Sequence, residues 1–271
     1  MADRPTTAAA LPDTAILADA IAAIAAEASA VALAKWRTDF RQWEKSPGNP
    51  VCEVDLEVDE LLHRRLAALV PDAGWLSEET VDNADRLTHS RLWVVDPIDG
   101  TRDYVRGREG WAVSIALVEN GQPLIGVLDA PARGEIWRAE AGRGATLNGV
   151  PIHTGDRSVF AGARVPTDSL PRVDSDLIAV AKPNSIALRI AMVAAGQADL
   201  VATLRWGYEW DIAAAVLIAA EAGATVSDAF GKPLFFNTPT AQAFGVLATT
   251  PGIHAAAVDR LADRAKTLAV K

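Results

Sequence analysis

Apolar residues recur along the chain at two periods, and the changes between them set out its elements. From Asp13 or Thr14 to about Trp36, Ile16, Ala20, Ile24 and Val31 fall near helical spacing and predict a first helix with one buried face. Lys45-Ser46-Pro47-Gly48-Asn49-Pro50 predicts an irregular loop, because two prolines and a glycine oppose regular structure. A second helix is expected from Asp55 to Val70, with Leu56, Val58, Leu61, Leu62 and Leu66 toward the core and Pro71 as its stop. Trp75 to Glu79 reads as a short strand leading to an acidic pair. The polar stretch 80–89 reads as a loop or short irregular helix. Leu92-Trp93-Val94-Val95 is a continuous apolar run, expected to be a buried strand that ends at Asp96.

Ala112–Val118, Pro123–Leu128 and Glu135–Ala139 follow at short spacing, with Asn120-Gly121 and Pro131-Ala132-Arg133-Gly134 between them, which predicts an antiparallel meander. Beyond Gly142 the texture changes. Helices are expected at Ser185–Ala195 and Asp211–Ala222, strands at Leu177–Ala181, Leu200–Thr203, Ala224–Ser227 and Phe244–Ala248, and a last helix from after Pro251 to about Val270. The expected organisation is an antiparallel α+β lobe over 1–145 and an α/β lobe over 146–271. No long linker separates them, so they should pack as one functional unit.

A length of 271 residues suits one large domain or two lobes sharing a cleft, and an even mixture with half the residues hydrophobic provides ample core. The net charge of −9 argues against sequence-independent nucleic-acid binding, since no basic stripe exists to displace counterions. Such a chain could hold a phosphorylated ligand only with help from a cation. Cys52 is the single cysteine, so no intrachain disulfide can form, and a reducing, cytoplasmic setting is expected. The alanine-rich stretch from Leu11 to Ala34 is interrupted by Asp13, Asp19 and Glu27, which argues against a secretory signal or a membrane span.

Candidate chemistry concentrates at Asp96-Pro97-Ile98-Asp99-Gly100-Thr101. Two carboxylates three residues apart follow an apolar strand, on what reads as a turn stiffened by proline. Hard divalent cations take carboxylate and carbonyl oxygens, and the Ile98 carbonyl lies between the two acids. Gly100-Thr101 could open a short helix whose amides meet an anion. A ligand-free surface turn is the competing reading. Glu78-Glu79 is either a solvated pair or a second acidic element at the same sheet edge. Asp211, at the start of an apolar helix, and Asp55 are each a helix cap, a site residue, or both. The four histidines are scattered without ligand spacing, no Gly-rich phosphate loop with a following lysine occurs, and Gly142-Arg143-Gly144 is too short for a dinucleotide fingerprint.

These segments together resemble the inositol monophosphatase family of lithium-sensitive, magnesium-dependent phosphatases. The Trp93–Thr101 run is similar to its Asp-Pro-Ile-Asp-Gly-Thr motif, Ser77-Glu78-Glu79-Thr80 to its upstream acidic motif, and Glu209-Trp210-Asp211-Ile212-Ala213-Ala214, with Glu221-Ala222-Gly223 following, to its C-terminal signature. Lys45 to Asp55 and Gly126 to Gly149 resemble two further family segments. The resemblance spans about Lys45 to Ala248. It implies a layered αβαβα sandwich of the inositol monophosphatase/fructose-1,6-bisphosphatase type, assembled as a homodimer. It also implies two or three Mg2+ ions: Glu78, Asp96 and the Ile98 carbonyl would hold one, and Asp96, Asp99 and Asp211 a second, with Glu78 assisting a third. Thr101, supported by Asp55, would orient and deprotonate the attacking water, with Glu78 in the catalytic set. Asp99, the Gly100 and Thr101 amides, Ser185 and Glu209 would contact the substrate, a small phosphorylated metabolite.

Some positions depart from the family pattern. Ile186 stands where a small residue is common and should narrow the pocket, Ala215 replaces a glycine, and Arg102-Asp103-Tyr104 follows the central motif where smaller polar residues are usual. Substrates consistent with the pattern are an inositol or other polyol monophosphate, then 3′-phosphoadenosine 5′-phosphate, then histidinol phosphate. A catalytically idle protein that binds a partner such as transcription machinery is the alternative from another class. The intact set of five carboxylates argues against it.

Overall fold

The computed structural model describes residues 13–46 and 49–270. Asp13 caps the first helix, α1 (Thr14–Lys35), its carboxylate accepting the Ala15 amide at 2.9 Å. The face that α1 buries carries Leu17, Ile21, Ile24, Ala28 and Ala32, whereas Ile16 is exposed. In a helix built mostly of alanine the apolar spacing does not single out a face, which is why the expected stripe is displaced. By length and composition α1 could cross a membrane, but its buried face packs on the second helix and the main sheet.

The stretch expected to be irregular is instead a hairpin of β1 (Gln42–Ser46) and β2 (Asn49–Cys52). Pro50 sits in a two-stranded ribbon, where its missing N–H costs the ladder little. Pro47 and Gly48 lie outside the described residues. Helix α2 (Glu53–Leu69) buries Val54, Val58, Leu62 and Leu66 but leaves Leu56 exposed. There follow β3 (Gly74–Ser77), a 3-10 turn at Ala84–Thr88, β4 (Arg91–Asp99), the short α3 (Thr101–Val105), β5 (Ala112–Glu119), β6 (Gln122–Ala130), β7 (Glu135–Glu140), β8 (Gly144–Leu147) and β9 (Val150–Pro151). Strands β3 to β9 form one seven-stranded sheet in sequence order; β3 and β4 are parallel and every other neighbouring pair is antiparallel.

The remaining chain contributes β10 (Arg164–Pro166), β11 (Ile178–Val180), α4 (Ile186–Ala194), β12 (Leu200–Ala202), β13 (Trp206–Tyr208), α5 (Ala213–Glu221), β14 (Thr225–Ser227), β15 (Gln242–Phe244), β16 (Leu247–Thr249) and α6 (His254–Ala269). The strand expected over 244–248 is two strands broken at Gly245, whose φ of +73° excludes most side chains and where a Cβ would lie 2.3 Å from the Thr203 carbonyl oxygen. Strands β12, β16 and β14 form a second, antiparallel sheet, while β10 and β11 pair in parallel.

The order of layers follows from what each apolar face covers. Helices α1 and α2 close one face of the large sheet, burying Leu17, Ile21, Leu62, Trp93, Ile115 and Val127. Helices α4 and α5 cover its other face and also carry the second sheet, in a core that includes Val94, Leu128, Ile190, Ile218 and Ala248. Helix α6 packs outside that sheet through Ala257 and Leu261. The result is an αβαβα sandwich.

Helix α5 approaches β6 closely because Gly126 has no side chain. A Cβ there would lie 2.7 Å from the Ala214 carbonyl oxygen. Gly126→Ala is therefore expected to push α5 from the sheet and destabilise the protein by about 1–3 kcal/mol, read as a lowered denaturation midpoint. An unchanged midpoint would show that the layers tolerate the extra methyl group.

Candidate active site

The site is assembled at the end of β4. Parallel pairing sets Ser77 of β3 beside Val95, and the Glu78 amide donates to the Val95 carbonyl at 3.3 Å, so Glu78 arrives next to Asp96. From α2, Asp59 fixes this corner by accepting the Ser77 hydroxyl at 2.5 Å and the Thr80 hydroxyl at 2.8 Å. The expected turn after Val95 is not what forms. The strand continues to Asp99, pairing Asp96 with Ser114 and Asp99 with Ala112, so β4 carries one residue more than β5 over this span. Side chains three apart on a regular strand point to opposite faces. One extra residue returns Asp99 to the side of Asp96.

Gly100, with φ of +97°, then reverses the chain into α3. A Cβ at Gly100 would lie 2.5 Å from the Gly110 carbonyl oxygen, so only glycine fits this corner. The first residue of α3 is Thr101, whose hydroxyl lies 3.0 Å from the Ile98 carbonyl and 3.3 Å from Asp55 Oδ1. The other Asp55 oxygen accepts both the Cys52 amide and the Cys52 thiol at 2.8 Å. Asp55 thus serves its helix terminus with one oxygen and Thr101 with the other.

Asp211 lies two residues before α5, whose capping position is Ile212 rather than Asp211. Glu78, Asp96 and Asp211 each offer an oxygen to a group spanning no more than 4.8 Å. Asp99 is tied to the start of α4: it accepts the Ser185 hydroxyl at 2.5 Å and the Ala187 amide at 2.8 Å. These residues line a cleft of about 420 Å³ together with Gly100, Thr101, Ile186, Arg189, Arg205, Tyr208 and Trp210.

Two of the residues expected to contact substrate are engaged within the protein. Ser185 is fully buried, donating to Asp99 and capping α4 through the Leu188 amide at 2.9 Å. Glu209 is also fully buried and accepts the Asn237 amide, the Thr238 amide and the Thr238 hydroxyl at 2.7, 2.9 and 2.5 Å. Its carboxylate holds that turn and does not line the cleft. Conversely, Arg189 and Arg205 line the cleft without a motif to mark them. The one signal for Arg189 was its position one helical turn after Ser185. Lys45 bonds Glu79 at 2.6 Å and approaches Glu78 at 3.4 Å.

Crowding governs the electrostatics. Asp96 is held well above the usual carboxylate range, first by burial and then by Glu78, Asp99 and Asp211. Burial, followed by Asp99 and Glu78, pushes Asp211 up to about 8 against the pull of Arg205. Asp99 and Asp55 are raised by burial to about 6, although their hydrogen bonds from Ser185 and Cys52 oppose the shift. Burial lifts Glu79 to about 7 despite Lys45. So many acids at one point cannot all ionise without a counter-charge. An all-oxygen donor set drawn together in this way suits a hard divalent cation.

A sandwich of this order, with acids from β3, β4 and the start of α5 meeting beside a threonine–aspartate pair, defines a metal-dependent phosphoric monoester hydrolase. The model of the inositol monophosphatase family matches residues 13–267, and the chain belongs to that family. It is 36% identical over 200 residues to the Nus factor SuhB of Xylella fastidiosa, covering 68% of this chain and 71% of that one. It is 35% identical over 191 residues to the fructose-1,6-bisphosphatase/inositol-1-monophosphatase of Thermotoga maritima, covering 67% and 72%. Among solved structures, a Thermotoga maritima IMPase superposes with a TM-score of 0.80 at 29% identity, covering 92% of this chain and 98% of that one.

A pH-dependent stability follows. Asp211 is pushed up to about 8 in the folded protein, from 3.8 for an unperturbed aspartate, so the metal-free protein takes up protons on folding. Its contribution is present in acid and is lost as the pH rises through about 8. A divalent cation held by the cluster would replace those protons. Saturating magnesium should raise the melting temperature by at least about 4 °C more near pH 8.5 than near pH 5. Equal shifts at both would contradict the carboxylate cluster as the binding site.

Proposed function

We propose that the protein is a magnesium-dependent phosphomonoesterase acting on inositol monophosphate or a similar small polyol phosphate. The observation that carries this reading is the convergence of the Glu78, Asp96 and Asp211 oxygens within 4.8 Å, in one cleft with Thr101. In this reading Glu78, Asp96 and the Ile98 carbonyl hold one Mg2+, and Asp96, Asp99 and Asp211 a second, with Glu78 also serving a third. Bound magnesium supplies positive charge to the phosphate oxygens and makes water more acidic.

The chain's own groups do the rest. When the Thr101 hydroxyl donates to Asp55, its lone pairs face outward to orient the attacking water. Asp55, raised to about 6 by burial, receives the proton relayed through Thr101. The Gly100 and Thr101 amides steady the phosphate, and Asp99, fixed by the start of α4, keeps its shape without rearrangement. Net repulsion between a chain of charge −9 and its substrate is thereby overcome locally. A homodimer in the cytoplasm completes the proposal, on the strength of the family resemblance and of the buried free thiol of Cys52.

One observation favours a second reading, a nucleotidase acting on 3′-phosphoadenosine 5′-phosphate. Tyr208 and Trp210 stack at 4.3 Å with planes 7° apart, and both line the cleft. Such a flat aromatic pair offers a surface for a base.

Hydrolysis of an aryl phosphate tests the shared chemistry. The wild-type protein should require magnesium, and Asp96→Asn should lose at least about a hundredfold in kcat, the scale of a lost electrostatic contact in the transition state. Equal rates in both proteins would defeat the mechanism.

A further inference from the structure

Glu78 is held differently from the acids it meets at the end of β4. The Asp99 carboxylate accepts the Ser185 hydroxyl and the Ala187 amide, and Asp96 Oδ1 accepts the Ile98 amide at 3.0 Å. Among the described residues no hydroxyl or backbone amide donates to the Glu78 carboxylate, and only Lys45 approaches it, at 3.4 Å. Where this side chain points is therefore set by the bend that carries it, Ser77-Glu78-Glu79-Thr80.

Both ends of that bend are tied to one carboxylate on α2. Asp59 Oδ1 accepts the Ser77 hydroxyl at 2.5 Å, and Oδ2 accepts the Thr80 hydroxyl at 2.8 Å. The two hydroxyls are acceptors in turn: Ser77 Oγ takes the Glu79 amide at 3.3 Å, and Thr80 Oγ1 takes the Trp75 indole N–H at 3.2 Å. Asp59 is buried, and among the described residues no cationic side chain pairs with it. A carboxylate can accept both hydroxyls at once, whereas an amide offers a single oxygen. Asp59 also lies one helical turn after Asp55, on the same face of α2. One helix thus carries the acid that reaches Thr101 and the acid that shapes the Glu78 bend.

Resting on the metal-dependent reading above, we propose that Asp59 is a positioning residue for the metal centre. By holding Ser77 and Thr80 together it aims Glu78 at Asp96 and Asp211, and so sets the affinity for the ion that Glu78 ligates. Its own oxygens are spent on the two hydroxyls and act through Glu78.

Calorimetric titration of the metal-free protein with Mg2+ tests this without turnover. Asp59→Ala should weaken magnesium binding by about 10- to 100-fold, the scale for removing the support of a metal ligand. Asp59→Asn, which can accept from one hydroxyl and donate to the other, should lose less. In a Glu78→Gln background, Asp59→Ala should change the remaining affinity by less than about threefold, because the two residues act as one unit. A role in folding alone would lower the melting temperature and leave the affinity of the folded protein unchanged. If Asp59→Ala folds poorly, Thr80→Val at the exposed end of the bend frees one Asp59 oxygen and should show the same loss in smaller degree. Wild-type affinity in Asp59→Ala, or in Thr80→Val where it stands in, overturns the positioning role while leaving the metal centre intact. So does a full loss that recurs in the Glu78→Gln background. Failure of the wild-type protein to bind magnesium counts instead against the metal-dependent reading.

Discussion

Repulsion among buried carboxylates is the constraint on which the rest of the molecule depends. Asp96 and Asp99 are all but removed from water, and the half-buried Asp211 and Glu78, the latter just past the parallel strand β3, complete the crowd. Left to themselves these groups would hold protons or push apart. The fold prevents the second outcome by fixing the acids on β4 and on the segments just after β3 and just before α5, and a divalent cation would remove the need for the first. The same feature that weakens the metal-free protein is what makes a high-charge ion welcome there.

The fastening runs through both halves of the chain. Asp99 is held by the Ser185 hydroxyl and the amides that begin α4, while Asp55 reaches Thr101 from α2. Farther out, Arg86 donates to Asn237 at 2.7 Å and to the Thr238 carbonyl at 2.9 Å, and Glu209 grips the same turn from within. At the opposite side Glu221 of α5 accepts the Gly142 and Gly144 amides at 2.7 and 2.8 Å. These ties join segments far apart in sequence to the large sheet. Any loosening between α4, α5 and the sheet would therefore be felt at the acids.

Much of this arrangement was legible from residue order alone, because hydrophobic period and motif spacing are local properties. The apolar run of β4, the acidic pair after β3 and the helix after Asp211 fell where their patterns put them. What escaped depends on contacts between distant segments. The bulge that aligns Asp96 with Asp99 needs β5 as a partner, and a proline between two acids reads as a turn without it. Glu209 and Ser185 carry polar groups suited to a ligand, yet the turn at Asn237-Thr238 and the carboxylate of Asp99 claim them. Arg189 and Arg205 reach the cleft only through the packing of α4 and β13, which no spacing announces. The alanine-rich α1 hid its own buried face for lack of contrast.

The most direct measurement is an anomalous-scattering map from crystals grown with Mn2+ in place of magnesium. Peaks are expected between Glu78, Asp96 and Asp211 and beside Asp99, with carboxylate oxygens at about 2.0–2.2 Å, the range for such ions. A map with no peak among these side chains, or with manganese bound only at surface carboxylates, would contradict a metal centre at the end of β4.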